Sequence, residues 1–313
     1  VDDSAYGKLY DRLSDEQRQK VYVDLGNLFE ISREDFLGAA LFQLIKALGN
    51  PFKSILKIGV LEKYLFESDS TMLLSHKIKA KISRGEIDLG ILDSYVLMFE
   101  EVYTYYQKTL EDKNLLKILR QNLYLKINPQ LSKYLGIQNS KNLPYKVSVM
   151  FSYVNKWGWM EKEIRELDDF DNWDYNRIMQ LWNSVKKFML LSYQKISSQL
   201  PQLNLAQRIS NSDFMLLSRK IKANFMSDAN EIDRYITFKE TSYEPILYIE
   251  PLSEGVQALE WRLFKRNSSA KDTFVSTTLK TEKNLMRLLA WTAVNMLFDP
   301  ATSRVKIQSG YSR

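Results

Sequence analysis

The sequence predicts a mainly α protein, a multi-helix bundle followed by a small α+β unit, and three observations lead there. Up to about residue 225 the apolar residues recur at helical spacing between cap and stop signals. After "MSDANEIDR" the pattern turns to alternation of polar and apolar residues, rich in Tyr, Ile, Phe and Trp, as strands require. Hydrophobic residues are 45% and charged residues 26% of the 313 positions, ordinary globular values for a chain long enough to hold about two domains. The expected domains are residues 1–228, helical, and 229–313, α+β.

The first well-marked helix is "ISREDFLGAALFQLIKALG". Ser32 is placed to cap it with Asp35 three residues later, and Gly49 stops it. Its expected apolar ladder is Phe36, Ala40, Phe42, Leu44 and Leu48. "NPFKSILKIGVLEKY" follows at once, with Asn50 as cap and Pro51 at the first helical position, where a missing N–H costs nothing. Helices this close in sequence are expected to form a tight hairpin. Further helices are expected at about 70–84, 93–109, 112–127, 145–157, 174–197 and 212–225. "RYITFKE", "PILYIEP" and "ALEWRLFKR" are expected strands, "KTEKNLMRLLAWTAVNMLF" returns to a helical period, and "SRVKIQSG" is a last short strand.

The chain has no Cys, which excludes disulfides, thiolate nucleophiles and Cys-ligated zinc together. His76 is the only histidine, so a Ser-His-Asp triad would have to use it, and it sits in "LLSHKIKAK" without an acid or Ser at a telling distance. It is expected on a helix surface. No apolar run reaches the roughly 18 residues of a membrane span, so no transmembrane segment is expected. The chain opens at Val1 with no charged-then-apolar leader, and it is expected to be a piece of a longer cytoplasmic protein. A net charge of +6 suits an anionic partner, whether nucleotide, nucleic acid or acidic lipid. "HKIKAKISRG" carries Lys77, Lys79, Lys81 and Arg84 but lacks the exposed aromatics of a single-strand groove; it is expected to be a solvated helix face, with no nucleic-acid partner.

Candidate site residues follow from helix phase. At 100° per residue Lys53, Lys57 and Tyr64 fall within about 40° of each other, while Phe52, Ile55, Leu56, Gly59 and Phe66 point to another quadrant. Two ammonium groups one turn apart repel, so the arrangement needs either bulk water or an anion in front of it. "SRKIKANF" adds Arg219 and Lys220, on a helix that Ser212 is placed to cap, with Asp213 at its positive end. Adjacent helical residues point about 100° apart, so at most one of these two faces a given ligand. Asp169-Phe170-Asp171 lies between two helical segments, where Asp171 is expected to be a cap or turn residue; no metal ligand is assigned.

"LGNLFEISREDFLGAALFQLIKALGNPFKSILKIGVLEKYLFE" resembles, nearly end to end, the segment of class-I bacterial adenylate cyclases that follows their nucleotidyltransferase core. "LDSYVLMFEEV", "LYLK", "WGWMEKEIRELDDFDNW" and "SDFMLLSRKIKANF" are similar to the same family in the same order, and "LEWRLFKR" and "KNLMRLLAWTAVNMLF" fit more loosely. The resemblance covers most of residues 20–310. It implies a lyase that converts ATP to 3′,5′-cyclic AMP and pyrophosphate with Mg²⁺, the metal held by an Asp-x-Asp and a third Asp in an N-terminal half of the polymerase-β type. No Gly-Ser followed by Asp-x-Asp on an apolar strand occurs here, so those ligands are expected upstream, no catalytic residue is assigned, and this chain alone is expected to be inactive.

The resemblance makes residues 1–228 a nucleotide-clamping domain. It points Lys53, Lys57 and Tyr64 at the ATP phosphates, and Arg219 and Lys220 at the nucleotide or at an interdomain ion pair. Trp157, Trp159 and Trp173 are expected to pack between helices, with adenine stacking as the alternative and Gly158 permitting the tight path between the first two. The implied partners are ATP, the upstream core and downstream regulatory region of the same protein, and phosphotransferase-system proteins. The rival reading is a non-catalytic regulatory or docking module of the cyclase.

Overall fold

The computed structural model describes residues 31–67, 73–83, 93–109, 112–137, 142–202, 211–226, 243–252, 260–268 and 274–307, with residues 12–14, 16–17 and 232 besides. Its described helices are α1 (Arg33–Ala47), α2 (Pro51–Phe66), α3 (Leu74–Ser83), α4 (Ser94–Thr109), α5 (Lys113–Ile127), α6 (Tyr145–Trp157), α7 (Glu161–Asp168), α8 (Tyr175–Ser198), α9 (Asn211–Phe225) and α10 (Leu285–Val294). The strands are β1 (Ile246–Pro251), β2 (Trp261–Ser268), β3 (Phe274–Glu282) and β4 (Arg304–Ile307). The fold is mainly α with a small α+β unit at its C-terminal end. Two compact units divide the chain: one runs to Leu167 and resumes at Val185–Met226, the other takes Asp168–Ser184 and the residues from Ser227 onward. The expected boundary between residues 228 and 229 lies outside the described residues.

In the helical unit the local signals become caps. Ser32 Oγ accepts the Asp35 N–H at 3.2 Å and donates to Asp35 Oδ2 at 2.9 Å, and Asn50 Oδ1 accepts the Lys53 N–H at 3.2 Å. Helices α1 and α2 pack as the expected hairpin, with Gln43 Nε2 donating to Ser54 Oγ at 2.9 Å across it. The buried stripe of α1 is Leu37, Ala40, Leu41, Leu44 and Ala47, which corrects the expected ladder. Leu41 continues the i, i+4, i+7 row set by Leu37 and Leu44, so its neighbour Phe42 is turned out, 56% exposed with Lys46 Nζ 4.5 Å from its ring centre. Phe66 is corrected too: its angle matches the buried quadrant of α2, but it is the helix's last residue and is 39% exposed.

Helix α2 packs on α4 and α5, and Asn122 Nδ2 of α5 donates to the Phe52 carbonyl at 2.7 Å. The approach of α2 to α4 is closest at Gly59, where a Cβ would stand 2.6 Å from Val102 Cγ1 and 3.1 Å from Val102 Cγ2. Helix propensity favours Ala there by about 1 kcal/mol, but overpacking costs about 1–3 kcal/mol. Gly59→Ala is therefore expected to lower stability in urea unfolding, and adding Val102→Ala to give a variant more stable than the sum of the two single effects. An additive pair would show that no close approach exists at this point.

Phe99 of α4 gathers Tyr103, Tyr153 and Trp157 at ring-centre distances of 5.2, 5.7 and 5.5 Å, joining α4 to α6. The later part of α8 buries Phe188, Met189, Tyr193 and Ile196, and Tyr193 O–H donates to Ser218 Oγ of α9 at 2.7 Å. Helix α9 starts at Asn211, so Ser212 lies inside its first turn with Asp213 instead of capping it. Helix α3 is not the solvated face expected: residues 73–81, His76 among them, are half-buried, and Lys77 Nζ sits 2.5 Å from Glu101 Oε1. Long Lys stems covering apolar surface explain how so basic a helix packs.

The second unit holds a four-stranded sheet in the order β3-β2-β1-β4. β1 pairs antiparallel with β2 (Tyr248↔Phe264) and parallel with β4 (Tyr248↔Lys306), and β2 pairs antiparallel with β3 through an irregularity at Leu263/Phe264. Leu247, Ile249, Leu263 and Leu279 from one face form a core with Leu288, Trp291 and Leu297. Strand β3 runs where the sequence pattern points to no strand and where a helix is expected from Lys280 onward. "FVSTTLKTE" is rich in β-branched residues that fit a pleat, and the helix begins only at Leu285, behind Asn284, whose Oδ1 accepts the Met286 and Arg287 N–H groups at 2.8 and 3.2 Å. The expected strand "RYITFKE" lies outside the described residues.

Candidate functional site

Helix α2 is buried on most of its circumference, and the remaining stripe carries Lys53, Lys57 and Tyr64. The structure thus places all three as helix phase predicts, with Lys53 and Lys57 exposed and Tyr64 half-buried. The Tyr64 ring rests 5.2 Å from Phe36, and its hydroxyl oxygen accepts the Leu74 N–H at 2.7 Å. Burial pushes the Tyr64 phenol above its usual value against the opposing effect of that N–H and of Lys63, so its O–H persists as a donor. The stripe offers two ammonium groups one turn apart and a phenol donor, which is chemistry suited to a multiply charged anion.

Arg219 and Lys220 are also exposed, on α9, whose Leu217, Ile221 and Phe225 are buried and which packs against α1. The two basic groups therefore stand on different helices.

A second set of polar residues on α2 is buried, and sequence reasoning misses it. Glu62 is 0% exposed; its Oε1 accepts Lys195 Nζ at 2.8 Å and Tyr105 O–H at 3.3 Å, and its Oε2 accepts Tyr106 O–H at 2.7 Å. Lys195 Nζ lies 5.6 and 5.3 Å from the Tyr105 and Tyr106 ring centres, and Tyr106 O–H is 3.4 Å from Ser192 Oγ. Burial first and the Glu62 carboxylate second push both phenols well above their usual range, so both remain protonated donors.

The neighbouring Lys63 is buried as well, with Nζ 2.6 Å from Glu67 Oε2 and 3.1 Å from Glu101 Oε2. Burial works against its ammonium, but the bonds and charge of Glu67 and Glu101 outweigh it and raise its pKa; Glu101, half-buried yet bonded to Lys77 and Lys63, is held below the carboxylate range. The missed signal is phase: on the 100° wheel Lys63 falls between Phe52 and Leu56, inside the apolar quadrant, and Glu62 stands about 20° beyond Ile55 at its edge.

The tryptophans pack. Trp157 and Trp159 stand 4.9 Å apart, Trp159 lies 5.7 Å from Tyr124, and Trp173 is buried 4.8 Å from Phe170. Gly158 takes φ +70°, the left-handed turn that ends α6. Asp171 sits in a short 3₁₀ turn, Phe170–Asn172, where the side chain of the preceding Asp169 accepts Asn172 Nδ2 at 2.5 Å. Among the described residues no three His, Cys, Asp or Glu side chains gather as a metal site, and no helix is long and apolar enough to cross a membrane.

Two family models match this sequence. One described as "Adenylate cyclase, class-I, second domain" covers residues 31–235, and one described as "Adenylate cyclase, class-I, third domain" covers residues 247–313. The adenylate cyclase of Yersinia intermedia is 28% identical over 291 residues, 92% of this chain and 33% of that protein. That of Escherichia coli strain K12 is 29% identical over 294 residues, 91% of this chain and 33% of that protein. That of Proteus mirabilis is 29% identical over 301 residues, 93% of this chain and 33% of that protein. The chain spans about a third of the length of these curated relatives. No solved structure matches it.

Proposed function

Because the chain belongs to the class-I adenylate cyclase family, we propose that it is the helical region of a longer cyclase, where it clamps ATP during conversion to 3′,5′-cyclic AMP and pyrophosphate. One observation carries this reading: on a helix buried around most of its circumference, Lys53 and Lys57 are the exposed positions before its last residue, one turn apart, inside the second-domain match. Compact ammonium groups on flexible stems follow a mobile triphosphate as it changes charge distribution. As the ribose 3′-hydroxyl attacks the α-phosphorus, charge builds on the departing pyrophosphate, and a fixed cationic pair stabilises that charge more than it stabilises bound ATP. Tyr64 O–H adds a donor two turns further along the same stripe. Arg219 and Lys220 supply a further contact from α9, to the nucleotide or to a neighbouring region.

The family points to a metal-dependent cyclase, and the ion proposed for the longer protein is Mg²⁺. The described residues do not fit a metal site, and on this reading the metal ligands belong to other parts of the longer protein. On this reading the chain acts in the cytoplasm, is inactive alone, and has as partners ATP and the flanking regions of its own protein.

In the intact cyclase, the Lys53→Ala/Lys57→Ala variant is expected to lose about tenfold or more in kcat/KM for ATP, on the scale of two lost charge-assisted contacts. Its melting temperature is expected to stay unchanged, because both side chains are exposed. Unchanged kinetics would rule out the phosphate role.

A further inference from the structure

We propose that Glu62 is a positioning residue for the Lys53–Lys57 stripe: its buried carboxylate bolts α2 to α4 and α8 and so sets where the two ammonium groups meet a nucleotide triphosphate. The inference rests on the phosphate-binding reading above and deepens it.

Three donors from two helices converge on this one side chain of a third. Tyr105 and Tyr106 come from α4 and Lys195 from α8, at 3.3, 2.7 and 2.8 Å, with no solvent reaching the carboxylate. Glu62 is five residues past Lys57 and nine past Lys53, about 140° and 180° around the helix, so it grips the side of α2 opposite the lysines. Any rotation or slide of α2 about its axis that displaces the lysines must break this cluster.

Other polar contacts hold α2 to single neighbours, Lys63 to Glu101 of α4 and the Phe52 carbonyl to Asn122 of α5, but among the described residues Glu62 is the α2 side chain that ties α4 and α8 at once. One turn before Glu62 the contact with α4 is made by Gly59, which offers Val102 no side chain to lock against. Burial of apolar surface is non-directional and tolerates sliding, whereas a carboxylate with three donors has one geometry. Stability alone does not account for the choice, since well-packed apolar residues commonly replace a buried ion pair at no cost. What a carboxylate adds is a unique register, and the groups whose register it sets on the far side of α2 are Lys53 and Lys57.

The test is a double-mutant cycle in the full-length cyclase, combining Glu62→Gln with Lys53→Ala/Lys57→Ala and reading KM for ATP and kcat separately. Glu62→Gln keeps the size but only one of the two acceptor oxygens that Tyr105 and Tyr106 use, and it removes the charge that holds Lys195. It is expected to raise KM about three- to tenfold, as a small misplacement of a contact does. That increase is expected to vanish in the background lacking both lysines, because a positioning residue has no effect once what it positions is gone. An equal increase in both backgrounds, or none in the native one, overturns the proposal. Should Lys53→Ala/Lys57→Ala alone leave the kinetics unchanged, the phosphate reading itself has failed, a result distinct from an additive cycle. If Glu62→Gln does not fold, Tyr106→Phe removes one donor, leaves the Glu62–Lys195 pair in place, and is read in the same cycle with the same outcomes.

Discussion

Glu62→Ala is expected to destabilise the helical unit by about 3–5 kcal/mol, seen as a lowered urea midpoint, because it strips one partner from a buried charged cluster. Lys195 would keep its ammonium against two aromatic rings with no counter-charge, and Tyr105 and Tyr106 would bury hydroxyl donors whose acceptor is gone. The cost belongs to the orphaned partners and not to the carboxylate as such. Replacing the set together, Glu62→Met with Lys195→Met, Tyr105→Phe and Tyr106→Phe, is expected to recover most of the loss, since apolar side chains of similar volume need no partners. A loss below about 1 kcal/mol for Glu62→Ala would mean that water reaches the cluster freely and that it holds nothing.

The second large effect belongs to the α+β unit. Trp291 is 2% exposed and packs in the core formed with Leu247, Ile249, Leu263 and Leu279, its ring 5.8 Å from that of Tyr175 in an edge-on arrangement. Trp291→Ala is expected to cost about 3–5 kcal/mol, the usual range for emptying a large aromatic site. A small unit has little stability to lose, so the variant is expected to unfold its sheet well below the native melting temperature, followed by far-UV circular dichroism. Met286→Ala on the same helix is the control: Met286 is 71% exposed, and a change within about 0.5 kcal/mol is expected. Equal effects for the two variants would show that Trp291 is not at the centre of this core.

Where the sequence pattern succeeded, the physics was local. Ser32, Asn50 and Pro51 act through backbone groups three or four residues away, so the ends of α1 and α2 are legible without knowing what they pack against. The Lys53–Lys57–Tyr64 stripe is legible for the same reason, because 3.6 residues per turn fixes which side chains share a face. The phase of α1 shows the limit. Leu41 and Phe42 are both large and adjacent, and only the row they must join, Leu37 to Leu44, decides that Leu41 goes in and Phe42 out. Strand β3 was illegible because its β-branched residues lead directly into a helical pattern, and only pairing with β2 draws the line between them.

The residues that link the site to the rest of the helical unit were the hardest to see. Glu62 and Lys63 carry charges, and a charge on a helix is ordinarily a sign of solvent. Their burial depends on partners far along the chain, with Tyr105, Tyr106 and Lys195 answering Glu62 and Glu101 answering Lys63. The helical class, the caps of α1 and α2, and a cationic stripe on α2 are legible from sequence, since each depends on interactions spanning a turn or less. Tertiary structure alone decided which charges are buried and which strand closes the sheet. The free energy of those choices lies in desolvation and pairing between distant segments, which no local pattern contains.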